Sequence, residues 1–187
     1  MATSASPLDD PRELPSPPPQ EGRFPLTAHK PGENLLDRLE ALLAQLQADG
    51  AWVAIIAPEG RPEVFVQCIV TEVGVHLEAV SNTYLTGTPW ALTPAQHENL
   101  VRLGWTPPNL AEDPSLRPPD WDDAPDIARH WWQDIGGADA ITRSAHLLLT
   151  TLIEVYRPGE VPLEVETFPA ACQVWAWEDG VLEALDT

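Results

Sequence analysis

The chain has 187 residues, with 29 acidic and 10 basic side chains and a formal charge of −19. That balance argues against nucleic acid and anionic membrane as partners, because both need a Lys/Arg footprint that the sequence lacks. The longest apolar run, in the region 147–156, is too short to span a bilayer and contains Thr150, Thr151 and Glu154. The N-terminal stretch has neither a basic nor an apolar signal region, so a cytoplasmic location is expected.

Residues 1–31 hold eight of the 21 prolines and few large apolar side chains. Such a segment buries too little surface to offset its ordering entropy, so a disordered arm with polyproline II character is expected, followed by a single domain over 32–187. Within the arm, RELPSPP (12–18) fits an Arg-x-x-Pro-x-x-Pro ligand pattern, but the pattern is common in Pro-rich tails and a plain tail is the expected reading.

In GENLLDRLEALLAQLQADG, Leu35, Leu36, Leu39, Leu42, Leu43 and Leu46 share one helical stripe, and Gly50 occupies the place of a left-handed C-terminal cap. Three strand-like runs follow: 51–57, 63–73 and 74–82, separated by Pro and Gly, which read as an antiparallel meander. The first two are apolar on both faces, and the third sets His76 and Glu78 toward solvent. In LTPAQHENLVRLGWTPPN, Thr93 and Gln96 form a capping box, Pro94 suits the first helical position, and Gly104 suits the C-terminal cap. Trp105 then packs back on Leu100, and Pro107 and Pro108 forbid continuation. Residues 106–124 read as a Pro/Asp-rich loop, and 127–135 as a short helix, with extended structure the alternative. A long helix is expected over 138–156, stopped by Arg157-Pro158-Gly159, and strands over 163–168 and 172–178. The fold class is α+β: a twisted antiparallel sheet, made of a three-stranded meander plus one or two C-terminal strands, packed with an N-terminal helix and a long C-terminal helix.

The sequence shows no phosphate-binding Gly-rich loop, nucleophile elbow or His-Glu-x-x-His motif. His146 and Ser144 are two apart on a helix and face different ways. No enzymatic activity, catalytic residue, cofactor or metal is expected. The acidic run DWDDAPD (120–126) lacks the Gly and bidentate Glu of a calcium loop, so N-capping and solvation account for it. Cys68 and Cys172 form no CxxC pair and read as buried thiols. The unusual asset is tryptophan, eight residues of which Trp90, Trp105, Trp131 and Trp132 lie beside the punctuated helix. Indole rings provide large contact area at low entropy cost, which suits a groove that receives peptide; filling space between Pro-rich loops and the sheet is the alternative.

Three stretches, VFVQCIVTEVGVHLEAVSNTYL (64–85), LTPAQHENLVRLGWTPPN (92–109) and ARHWW with the helix ending TLIEVY (151–156), together resemble an actinobacterial domain family of the TY-Chap type. That family is grouped with type III secretion chaperone-like and YbjN-like peptide-binding folds, and the resemblance spans roughly 33–168. One lysine beside nine arginines agrees with a high-GC source. The resemblance implies helices packed on an antiparallel sheet and non-catalytic binding of a protein or peptide segment, often as a homodimer. Position, rather than any family assignment, singles out Asn82, Tyr84, Trp90, Trp105, Trp131 and Trp132 as partner-binding candidates, and the acidic surface favours a basic partner. A dedicated accessory or immunity-type inhibitor of one specific partner is the second reading.

Overall fold

The computed structural model describes residues 21–26, 34–109, 128–170, 174–178 and 181–185, the last two stretches by their backbone alone. The RELPSPP motif, Trp121 with most of the acidic loop, and Cys172 lie outside the described residues.

The chain runs β1 (Gly22–Leu26), α1 (Leu35–Ala48), β2 (Trp52–Pro58), β3 (Val66–Val70), β4 (Gly74–Ala79), α2 (Asn82–Leu85), α3 (Pro94–Leu103), β5 (Trp131–Gly136) and α4 (Ala140–Thr150). A π-helical turn (Thr151–Tyr156), β6 (Leu163–Pro169), β7 (Val174–Glu178) and β8 (Val181–Leu185) follow. Six strands make one sheet in the order β1-β6-β2-β3-β4-β5, every neighbouring pair antiparallel. The β7-β8 pair is a separate two-stranded ribbon, so the tail strand does not extend the main sheet.

Local chemistry sets the helix boundaries. Asn34 and Asp37 form a reciprocal capping box at the start of α1, and Gly50 beyond its end takes φ +118°. Thr93 and Gln96 do the same for α3, with Pro94 at its first position. Gly104 takes φ +97°, which a residue with a Cβ adopts only under strain, and the Trp105 N–H returns to the Leu100 carbonyl at 3.1 Å. The helix expected over 138–156 is present, but its last six residues widen into a π turn, in which the Arg157 N–H reaches the Leu152 carbonyl at 3.0 Å. Arg157 closes it in a left-handed conformation at φ 49°.

Two further segments depart from the sequence expectation. The 127–135 region forms strand β5 from Trp131 onward, not a helix. Trp131 and Ile135 are its buried residues, and two positions four apart share a face both in a strand and in a helix, so the pattern alone did not decide. Pairing with β4 over six residues decided it. Residues 22–26, which composition assigned to a disordered arm, form β1 against β6.

One core unites the helices with one sheet face. Leu39, Leu43 and Leu46 of α1 meet Ala145 and Leu148 of α4, Leu152 beyond it, and the strand residues Ala54, Ile56, Val66, Cys68, Val70, Val75 and Leu77. Each fully buried leucine contributes about 2 kcal/mol relative to exposure. Burial in this core pushes the Cys68 thiol up to about 12.

Candidate functional site

The pairing registers fix what the opposite sheet face presents, because paired residues point to the same side. One row across all six strands reads Arg23, Glu166, Ile55, Gln67, Glu78, Trp132. The next reads Phe168, Val53, Ile69, His76, Asp134 from β6 to β5. A partial third row holds Pro25, Glu164 and Ala57. At ordinary strand spacing the six-strand row spans about 24 Å. As whole residues these are half-buried or exposed, although the Asp134 side chain keeps only 4% of its surface, whereas those on the helix side of the strands are almost all sealed. The face is therefore apolar in the middle (Val53, Ile55, Ala57, Ile69, Phe168) and acidic at both flanks.

Each flank sets two carboxylates against one cation. On the β6 side, Arg23 Nη2 lies 2.7 Å from Glu166 Oε2, with Glu164 next to it on the same strand. On the β4-β5 side, His76 Nδ1 lies 2.7 Å from Asp134 Oδ1, and its Nε2 lies 3.6 Å from Glu78 Oε1. Burial opposes protonation of His76, yet the two carboxylates outweigh it and hold the imidazole at about 9. Burial likewise works against the charged form of Glu78, but His76, the nearby His130 and a hydrogen bond from Gln67 leave its carboxyl below the usual range. His130 is shifted down, chiefly by burial.

Aromatic rings line the α2 rim. His130 stacks on Tyr84 with centroids 4.9 Å apart and meets the edge of Phe65 at 5.5 Å. Tyr84 keeps 47% of its surface exposed. Beyond it, half-buried Trp90 carries the Arg61 guanidinium 4.4 Å above its ring. Trp132 sits on the open face opposite Glu78, half-buried, and its backbone bridges to Thr106. Of the six residues singled out from sequence, Tyr84, Trp90 and Trp132 are thus at the surface.

The other three are inside. Asn82, 7% exposed, donates to the Leu92 carbonyl at 2.9 Å and accepts from the Leu92 N–H at 2.6 Å, pinning the 86–92 loop. Trp105, 2% exposed, donates its indole N–H to Thr151 Oγ1 at 2.8 Å, at the first residue of the π turn. Trp131, 4% exposed, packs against His97 with ring centroids 5.5 Å apart. Tyr156 donates to the Val80 carbonyl at 2.5 Å, and Gln96 reaches the Val155 carbonyl at 2.6 Å. Thus Val-Ser-Asn, Leu-Gly-Trp and the terminal Val-Tyr of the long helix interlock as framework.

Residues of the face that the motifs did not announce include Ile55, Ile69, Glu164, Glu166 and Arg23. Alternation in 63–73 and 163–168 held the signal for the strands, but only the register brings the residues together. The helical layer offers two further clefts, of about 430 and 380 Å³, on either side of α4, which share His146 and Thr150.

A sequence model for the family described as "T3SS (YopN, CesT) and YbjN peptide-binding chaperone 3", TY-Chap3, matches residues 33–166. The chain belongs to this family. Its description is that of peptide-binding chaperones, and the TY-Chap3 match covers β2 through β5, α4 and the first part of β6, while β1 and Phe168 of the open face lie outside it. No curated protein and no solved structure matches the chain.

Proposed function

We propose that this TY-Chap3 chain is a non-catalytic, chaperone-like module that holds an extended protein or peptide segment on the open face of its sheet. The observation that carries the reading is the contiguous apolar patch of Phe168, Val53, Ile55, Ala57 and Ile69 on three adjacent strands, opposite the helix-covered face. A side chain landing there buries apolar surface at both partners, at about 25 cal/mol per Å². Tyr84 and Trp132 provide ring contacts at the rim, and the acidic flanks keep the loaded protein dispersed and favour basic clients. The setting is cytoplasmic, and a second copy would meet the first through the helical layer, where Leu35, Val101 and Ile153 are exposed.

The test is binding of an unfolded, fluorescently labelled polypeptide to the full chain and to Ile69→Ser and Trp132→Ala variants that keep the parent melting temperature. Loss of about 1 to 2 kcal/mol, or roughly fivefold to thirtyfold in affinity, is expected for each. Unchanged affinity in both variants places the binding elsewhere.

A further inference from the structure

We propose that the cavity at the β6 end of the open face is a pocket for one lysine or arginine side chain of the bound segment, with Arg23 as its resident stand-in. This rests on the reading of the open face as a peptide-binding surface and names what one part of it selects. The cavity, of about 200 Å³, lies between β1, β2, β6 and the turn after β2, and has room for a single long side chain. Ile55, Ala57, Pro58, Pro62 and Phe65 give it apolar walls, and Glu164 and Glu166 stand on β6 beside Arg23. A methylene stem fits the apolar walls while its charged head meets the carboxylates, the division of labour that Lys and Arg side chains adopt at such edges.

Charge complementarity selects the occupant. Two carboxylates face one cation, and Glu164 forms no hydrogen bond or ion pair among the described residues. An acidic side chain would meet like charge, and a neutral polar one would leave the Glu164 charge uncompensated. The Arg23 side chain is 55% exposed and stands on the edge strand, so it can swing into solvent without disturbing the core. Neighbouring apolar residues of the segment then fall on Ile55, Val53 and Ile69, one and two strands inward.

Short random peptides displayed on phage and panned against the full chain test this, with a Glu164→Gln/Glu166→Gln variant panned in parallel. The expected result is enrichment of peptides pairing an Arg or Lys with apolar neighbours, and loss of the basic preference in the variant. For a synthetic peptide from the enriched set, replacing its basic residue by Gln should weaken binding about threefold to fivefold, as an exposed ion pair allows. Arg23→Ala should tighten the same peptide by about twofold, whereas a purely structural Arg23 would give weaker binding or none of this charge dependence. Enriched peptides with no basic bias, or with the same bias in the double variant, overturn the pocket and leave the peptide-binding reading standing. No enrichment of any peptide overturns both.

Discussion

Asn82 shows how a residue chosen as a contact becomes a structural pin. Its amide satisfies both polar groups of Leu92 in a buried place, so Asn82→Ala strands a donor and an acceptor together. The expected loss is about 2 to 4 kcal/mol in denaturant unfolding, and with it order in the 86–92 loop. His76 makes a prediction in pH. Its folded value of about 9 lies above the ordinary imidazole value of 6.5. Its contribution to stability is therefore complete below about 6.5 and is lost as pH rises through about 9. NMR titration of the ring should give the raised midpoint, and the stability gap between the parent and His76→Gln should close over that window. Sequence could suggest that His76 and Glu78 share a strand face, but not that Asp134 waits opposite, because β5 joins β4 from far along the chain. The tryptophans divide in the same way: composition marks all eight as anchors, and only packing tells which ring is sealed.

At the scale of elements, punctuation was the most legible feature. The Thr93–Gln96 box, Pro94 and Gly104 fix α3 at both ends as their residue types dictate. Gly104→Ala imposes a Cβ on a left-handed backbone and brings it 3.4 Å from the Gln133 amide oxygen. A cost of about 1 to 2 kcal/mol is expected in thermal unfolding, with the chain after α3 displaced. The meander strands declared themselves by alternation, whereas β5 did not, since Trp131 and Ile135 satisfy either period and the cross-strand partner lies more than fifty residues away. The π turn was equally hidden. Its apolar content reads as ordinary helix, and what widens it is tertiary: Trp105 on Thr151, Gln96 on the Val155 carbonyl and Tyr156 on the Val80 carbonyl. Within β3, Cys68 should resist a chromophoric thiol reagent at mildly alkaline pH until the chain is denatured, because its thiol is sealed and held protonated by burial. Mass mapping of the labelled peptide before and after unfolding reads this directly.

At the scale of the whole molecule, among the described residues, helices cover one side of a six-stranded sheet and a patterned side lies opposite. Composition alone foretold the acidity, and the resemblance foretold an α+β fold with helices on an antiparallel sheet, but the pattern of that side exists only once six separate stretches are placed in register. Because its flanks are charged and its centre is apolar, capture of a basic, apolar segment should weaken with added salt while capture of a neutral apolar one holds or strengthens. Binding isotherms at low and high ionic strength distinguish the two. The first strand of the sheet lies against the last one in sequence, Gly22 opposite Thr167 and Leu26 opposite Leu163. Trimming the protein to begin at residue 32, as its proline-laden opening invites, would strip β6 of its outer neighbour and leave a row of amide and carbonyl groups without mates. Pro25, which has no amide proton to offer, now stands on that rim. The shortened molecule would trade a guarded border for an adhesive one, and its first symptom would be self-association.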